Sequence, residues 1–266
     1  MNLIQAIILS IIEGITEFLP VSSTGHMIIA SYFMGISNQE FTKLFTVAIQ
    51  LGAILSVVVL YWKRFFKTID FYYTLFIAFV PIVLAGLLLK KFVDRVLGDV
   101  TIVAVSLVLG GIVLLFVDKW FAKTENNEDI TIKPKNAFLV GLFQIIALIP
   151  GVSRSAATII GGLSQGMNKK MAAEFAFFLA VPTMAAATFL ELWQSYKKTP
   201  EVFTQSNILY LILGSIIAFM VALVAIRSFI QYLTKHGFKV FGIYRIILGL
   251  LLLILIYVIK IPLTQL

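Results

Sequence analysis

Six apolar runs of bilayer-crossing length recur along this chain, at about 44–62, 71–90, 100–118, 171–193, 207–230 and 240–260. A helical span needs about 20 residues. In lipid every backbone N–H and C=O must find a partner within the protein, so such runs fold as helices. The composition agrees: 60% hydrophobic and 13% charged, against about a quarter charged in soluble domains. The expected fold is therefore an all-α polytopic integral membrane protein. The net charge of +8 sits in short loops between apolar runs, where it reads as a topological signal and not as a nucleic-acid surface. With no cysteine, the chain has neither a disulfide, nor a thiol nucleophile, nor a Cys-ligated metal. Its first apolar stretch lacks a basic start and carries two glutamates, so it is not expected to be a cleaved leader.

Two further apolar regions, 1–35 and 136–167, are interrupted near their middles, by Pro20-Val21-Ser22-Ser23 and by Pro150-Gly151-Val152-Ser153. Neither half of either region is comfortably long enough to cross alone. The expectation is a re-entrant helical hairpin in each, with its irregular tip met by protein or by a water-filled cavity. Two tilted complete spans per region is the alternative.

The interruptions repeat. Pro20 and Pro150 lie 130 residues apart, and that offset also pairs Ser23 with Ser153 and Phe45 with Phe175. The sequence LVLGGIVLL at 107–115 resembles IILGLLLLI at 246–254. A hairpin followed by three spans, repeated once, inverts the second copy because three is odd. Inverted repeats with broken helices are a transporter-like design with a midplane site. The division expected is a first repeat over 1–118, a cytoplasmic linker over 119–135 and a second repeat over 136–266. Lysines and arginines divide twelve to seven, favouring the side of Lys63, Lys67 and Lys119 over that of Lys90, Lys197 and Lys260. The richer side is read as cytoplasmic. Hairpin one then enters from outside, hairpin two from the cytoplasm, and both termini lie outside.

The interruptions also carry the chemistry. EGITEFLPVSSTGH, from Glu13 to His26, places two acids, a hydroxyl run and a histidine among lipid-facing residues. A charge at mid-bilayer costs about 3 kcal/mol even on the gentler insertion scale. Glu13 and Glu17 share one helix face, and two carboxylates there need a proton or a cation between them. That suits acid/base work or divalent-cation ligation. A structural pair locked to Arg154 is the plainer account. Ser22, Ser23 and Thr24 read as a helix N-terminus aimed into the membrane, a phosphate cradle by its free N–H groups, although such serines are often plain caps. His26 suits acid/base or nucleophilic chemistry, or an ordinary interhelical hydrogen bond. IPGVSRSAAT, from Ile149 to Thr158, sets Arg154 between Ser153 and Ser155 after a Pro-Gly break, a combination suited to phosphate oxygens. Gln50, polar within a span, takes no assignment. No Walker loop, dinucleotide-binding glycine fingerprint or HExxH zinc motif is present. The substrate expected carries a phosphate or diphosphate while its tail stays in lipid.

EGITEFLPVSSTGH resembles the glutamate-rich first motif of bacterial undecaprenyl-diphosphate phosphatases, the bacitracin-resistance family. PGVSRSAAT resembles the family's second motif, PGxSRSxxT. Both match without a gap, and the span pattern fits the whole chain. The resemblance implies hydrolysis of undecaprenyl diphosphate to undecaprenyl phosphate, recycling the lipid carrier for cell-wall synthesis. It also implies a divalent cation, magnesium or calcium, and a plasma-membrane site opening to the outer face. By the same resemblance Glu13 and Glu17 take acid/base or metal roles. Ser23 and His26 are alternatives for nucleophile or activator, and Arg154 with Ser22, Thr24, Ser153, Ser155 and Thr158 binds the diphosphate. The partners expected are the polyprenyl diphosphate lipid and the bilayer, with no nucleic acid. A homo-oligomer is compatible with the sequence. The rival reading is a flippase for undecaprenyl phosphate, binding the headgroup with the same Arg154 and serines.

Overall fold

The structure, a computed structural model, describes residues 1–65, 69–96, 99–125, 127 and 132–258. Lys67, Lys260, residues 126 and 128–131 of the expected linker and the last residues of the final expected span lie outside the described residues.

Among the described residues the chain is helical, with no β-strand. Helices α1 (Leu3–Thr16) and α2 (Ser23–Phe33) form the first hairpin. Helices α3 (Glu40–Ala48) and α4 (Gln50–Leu60) make one span, with a break at Ile49, and α5 (Trp62–Phe65) is a short turn. Then come α6 (Ile69–Leu88), the short α7 (Lys90–Val96) and α8 (Val100–Trp120). The second hairpin is α9 (Pro134–Ile145), continued by a 3₁₀ turn over Ile146–Leu148, and α10 (Arg154–Ser164). The last elements are α11 (Lys169–Lys198), α12 (Gln205–His236) and α13 (Lys239–Tyr257). Six helices are long and apolar enough to cross a membrane, at the six places expected. Two of them, of 30 and 32 residues, outrun the expected spans.

The re-entrant form of both interrupted regions follows from length and from where their ends meet. The 14 residues of α1 rise about 21 Å at 1.5 Å each, short of a hydrocarbon core of about 30 Å. Gln5, in the first turn of α1, donates to Met34 O just past α2 at 3.2 Å, so the hairpin returns to the side it left. In the second, α10 has only 11 residues and packs back along α9; beyond its far end Asn127 of the linker donates to Gly166 O and Asn168 donates to Asn127 O, each at 2.9 Å. The alternative of two complete spans is thereby set aside. Helix α9 begins slightly earlier than the expected boundary because Pro134 occupies its first turn, a position where a missing N–H costs nothing.

Packing between the halves is reciprocal. Helix α1 of the first hairpin lies along α12, and α9 of the second lies along α6. Helices α8 and α13 cross where Gly111 and Gly242 face one another. A Cβ on Gly111 would fall 2.7 Å from Gly242 O, and one on Gly242 would fall 2.8 Å from Gly111 O. Only glycine permits that backbone approach, which substitutes for hydrophobic driving force between helices in lipid.

Candidate active site

Both hairpin tips turn on a serine. Ser22 (φ 71°) and Ser153 (φ 75°) are the only non-glycine residues with positive φ among those described. Each caps the following helix, Ser22 Oγ accepting from Gly25 N at 3.3 Å and Ser153 Oγ from Ala156 N at 3.2 Å. A side-chain-bearing residue held there costs about 1–3 kcal/mol, and such strain concentrates at working sites. The equivalent serines are therefore Ser22 and Ser153, 131 residues apart. This corrects the pairing of Ser23 with Ser153: the left-handed cap, not the proline, fixes the register. Ser23 and Arg154 then become counterparts, each the first residue of its helix.

Arg245 of α13 ties the two tips together. It is fully buried. Its Nη1 donates to Pro20 O and to Val152 O, both at 3.0 Å. Nη2 donates to Gly151 O at 2.9 Å and to Ser106 O at 3.1 Å, and Nε reaches Leu107 O at 3.4 Å. Carbonyls freed by the helix breaks are thus met by one planar fork of donors. Arg245 was not singled out from the sequence. The signal was there: an arginine within the 240–260 apolar run.

Between the tips lies a cavity of about 200 Å³. Glu17, Ser22, Ser23 and Thr24 line it from the first hairpin, and Gln144, Pro150, Gly151, Ser153 and Arg154 from the second. Gln50 of α4 and Thr183 of α11 complete the wall. Glu17 is the hub: Ser23 Oγ donates to its Oε2, and Arg154 Nη2 lies 3.3 Å from its Oε1. Arg154 Nη1 donates to Ala176 O at 3.0 Å. Helices α2 and α10 both start at this cavity, so their first-turn N–H groups and positive dipole ends face it together. A hydroxyl on a carboxylate, beside a guanidinium and two helix N-termini, can take up a phosphate and attack it.

The family model described as "Bacitracin resistance protein BacA" matches residues 6–251. The chain belongs to this family. A relative named "Undecaprenyl-diphosphatase" from Flavobacterium psychrophilum is 59% identical over 264 residues, covering 99% of each chain. Another of that name from Flavobacterium johnsoniae is 57% identical, also covering 99% of each. One from Aquifex aeolicus is 46% identical, covering 92% of this chain and 95% of its own.

In this BacA-family chain the cavity gathers Glu17, Ser22, Ser23, Thr24, Ser153 and Arg154 from the sequence candidates. It also gathers Gln50, Gln144 and Thr183, which the sequence reading left unassigned; an isolated glutamine in an apolar helix was the available signal. The structure places four other candidates elsewhere. Glu13, one turn before Glu17, is not in the cavity lining; it is fully buried beside the Glu17 carboxyl, and its oxygens accept no hydrogen bond from a donor among the described residues. His26 turns away: Nδ1 lies 2.7 Å from Ser22 O, Nε2 lies 2.6 Å from Tyr244 Oη, and the two rings stack at 5.6 Å. Ser155 donates to Phe18 O at 2.7 Å, latching one hairpin to the other. Thr158 donates back to Arg154 O at 2.8 Å within its own helix. Both side chains are buried, and their hydroxyls are engaged by carbonyls of Phe18, Arg154 and Ser155.

The donor set fits a divalent cation in one respect. No group of three or more acidic or histidine side chains is assembled among the described residues. Two carboxylates four residues apart, one whose oxygens accept no hydrogen bond among the described residues, suit a cation that takes its remaining oxygens from substrate and water.

Proposed function

We infer that this chain is an integral membrane phosphatase that hydrolyses undecaprenyl diphosphate to undecaprenyl phosphate and inorganic phosphate. It thereby recycles the lipid carrier for cell-wall synthesis and confers bacitracin resistance. The observation that carries the reading is the line Ser23–Glu17–Arg154 in the cavity between the two hairpin tips.

Ser23 Oγ attacks the terminal phosphorus, and Glu17 takes its proton. The bond from that phosphorus to the bridging oxygen breaks, and the electron pair leaves on the lipid phosphate. Arg154 and the N-termini of α2 and α10 hold the phosphate oxygens, since phosphoryl transfer depends on positioning and charge neutralisation. Water then attacks the phosphorylated serine, Glu17 returns its proton to Oγ, and dihydrogen phosphate departs. His26 does not attack: bonded to Ser22 O and Tyr244, it braces the turn that presents Ser23. Glu13 and Glu17 would hold a magnesium or calcium ion, which supplies further neutralisation of diphosphate charge.

The halves 1–118 and 136–266 act as two inverted repeats around this cavity, joined by the linker 119–135. The reciprocal packing of α1 with α12 and α9 with α6 supports that division. The twelve-to-seven division of basic residues supports a plasma-membrane orientation in which the first hairpin enters from the outer face.

Reciprocal hairpins also suit the second reading, transport of undecaprenyl phosphate. The deciding experiment is phosphate release from undecaprenyl or farnesyl diphosphate by purified protein in detergent, with and without magnesium. Cation-dependent release lost in Glu17→Gln and Arg154→Ala supports the phosphatase. Folded protein that releases none leaves transport as the function.

A further inference from the structure

Gln144 stands at the end of α9, in the wall of the cavity that holds Glu17, Ser23 and Arg154. It is fully buried. Measured from the paired caps Ser22 and Ser153, it is the counterpart in the second hairpin of Glu13 in the first. Nothing described so far gives it a task.

The orientation of its amide follows from its neighbour. Thr183 Oγ1 donates its single proton to Leu179 O at 2.8 Å. Toward Gln144 it can only accept, so the group 3.4 Å away is the amide Nε2. Turning the amide over would set two acceptors against each other. Gln144 Oε1 is thereby left as a buried acceptor with no partner among the described residues. An unmet buried acceptor costs about 1–3 kcal/mol, a cost a protein keeps where the partner arrives with the reaction. Of the species that enter this cavity, ionised phosphate oxygens are themselves acceptors; Arg154 has Nη1 and Nη2 turned to Ala176 O and Glu17, and its Nε is itself buried without a partner among the described residues. Water brings protons to donate.

We propose that Gln144 orients the water that releases phosphate from Ser23. The water donates one hydrogen bond to Gln144 Oε1, which points its lone pair at phosphorus. The new P–O bond forms as the P–Oγ bond breaks, and the electron pair leaves on Oγ. Oγ regains the proton held by Glu17, and both water hydrogens depart on dihydrogen phosphate. Gln144 neither gives nor takes a proton. Thr183 holds the amide the right way round.

The inference rests on Ser23 being the nucleophile, and one experiment separates the two. Wild type, Gln144→Met, Gln144→Leu and Ser23→Ala are purified in detergent and mixed with farnesyl diphosphate in a quenched-flow instrument. Farnesyl phosphate, orthophosphate and phosphoserine are followed. Methionine keeps the shape of glutamine without its acceptor, so it serves if leucine unfolds the chain. The expected result is a steady-state rate lowered by about tenfold, the loss of one orienting hydrogen bond, with a first-turnover burst of farnesyl phosphate near one per chain. Phosphoserine at Ser23 should then accumulate. Gln144→Glu, which keeps an acceptor at the same reach, should recover most of the rate. Equal slowing of the first and later turnovers without phosphoserine would overturn the proposal, as would a change confined to KM or to the magnesium requirement. Full activity in Ser23→Ala would instead overturn the nucleophile reading, whatever Gln144 does.

Discussion

Arg245 Nη1 donates to Pro20 O at 3.0 Å and, from the same nitrogen, to Val152 O at 3.0 Å. One guanidinium on the last helix therefore sets the separation of two tips that lie 132 residues apart in the chain. Arg245→Lys keeps the charge but cannot span these carbonyls with a planar fork. It should lower stability by about 3 kcal/mol, given 1.5–3 kcal/mol per hydrogen bond to a charged group, and remove most phosphate release. Thermal unfolding and turnover in the same detergent check both.

Gly110 gives an independent route to the same tie. A Cβ there would lie 2.2 Å from Arg245 Nη2. Gly110→Ala should therefore displace the guanidinium and reproduce the loss expected of Arg245→Lys, without altering any charged group. The two changes combined should cost less than their sum, because they act on one interaction.

Glu17 accepts from both Ser23 and Arg154. Glu17→Gln, which keeps the shape but not the base, should lower kcat by about 10²–10⁴-fold. Arg154→Ala should lower kcat and raise KM together, and Arg154→Lys should recover only part, since a point charge cannot bind phosphate bidentately. Steady-state kinetics on a soluble prenyl diphosphate checks each.

Ser155 and Thr158 separate scaffold from site. Ser155→Ala loses the bond to Phe18 O and should cost about 1 kcal/mol of stability, with turnover kept within a few-fold. Thr158→Val should leave turnover near wild type, because its hydroxyl bonds only within α10. Ser153→Ala removes a cap at a strained cavity residue and should cost far more activity than either.

His26 and Tyr244 brace the Ser22 turn from outside the cavity. Tyr244→Phe should lower kcat only several-fold, as one hydrogen bond contributes about 1 kcal/mol. His26→Ala, which also removes the side-chain bond to Ser22 O, should lower kcat further with KM little changed.

The six spans, the two interrupted regions and the hydroxyl caps at their tips were legible in the sequence, because each rests on local chemistry. Apolar length dictates a crossing helix, and Pro20 or Pro150-Gly151 dictates where one stops. Glu17, Ser23 and Arg154 were legible too, since no apolar helix keeps such groups in lipid without a partner. What the sequence left open was which of these residues meet. The repeat was read one residue out of register, through the prolines, because φ at Ser22 and Ser153 is not written in residue type. Ser23 and His26 looked equivalent one turn apart on α2. Packing of α13 sets them apart in space, with His26 on Tyr244 and Ser23 on Glu17. Gln144 meets Thr183 in the cavity wall, and Arg245 meets the two tips, only through the crossings of α11 and α13 with the hairpins. Hydropathy, breaks and caps are properties of short segments, so the sequence by itself determined the helices and their interruptions. Which buried donor reaches which distant carbonyl or carboxylate depends on how those helices cross, and that only the tertiary structure decided.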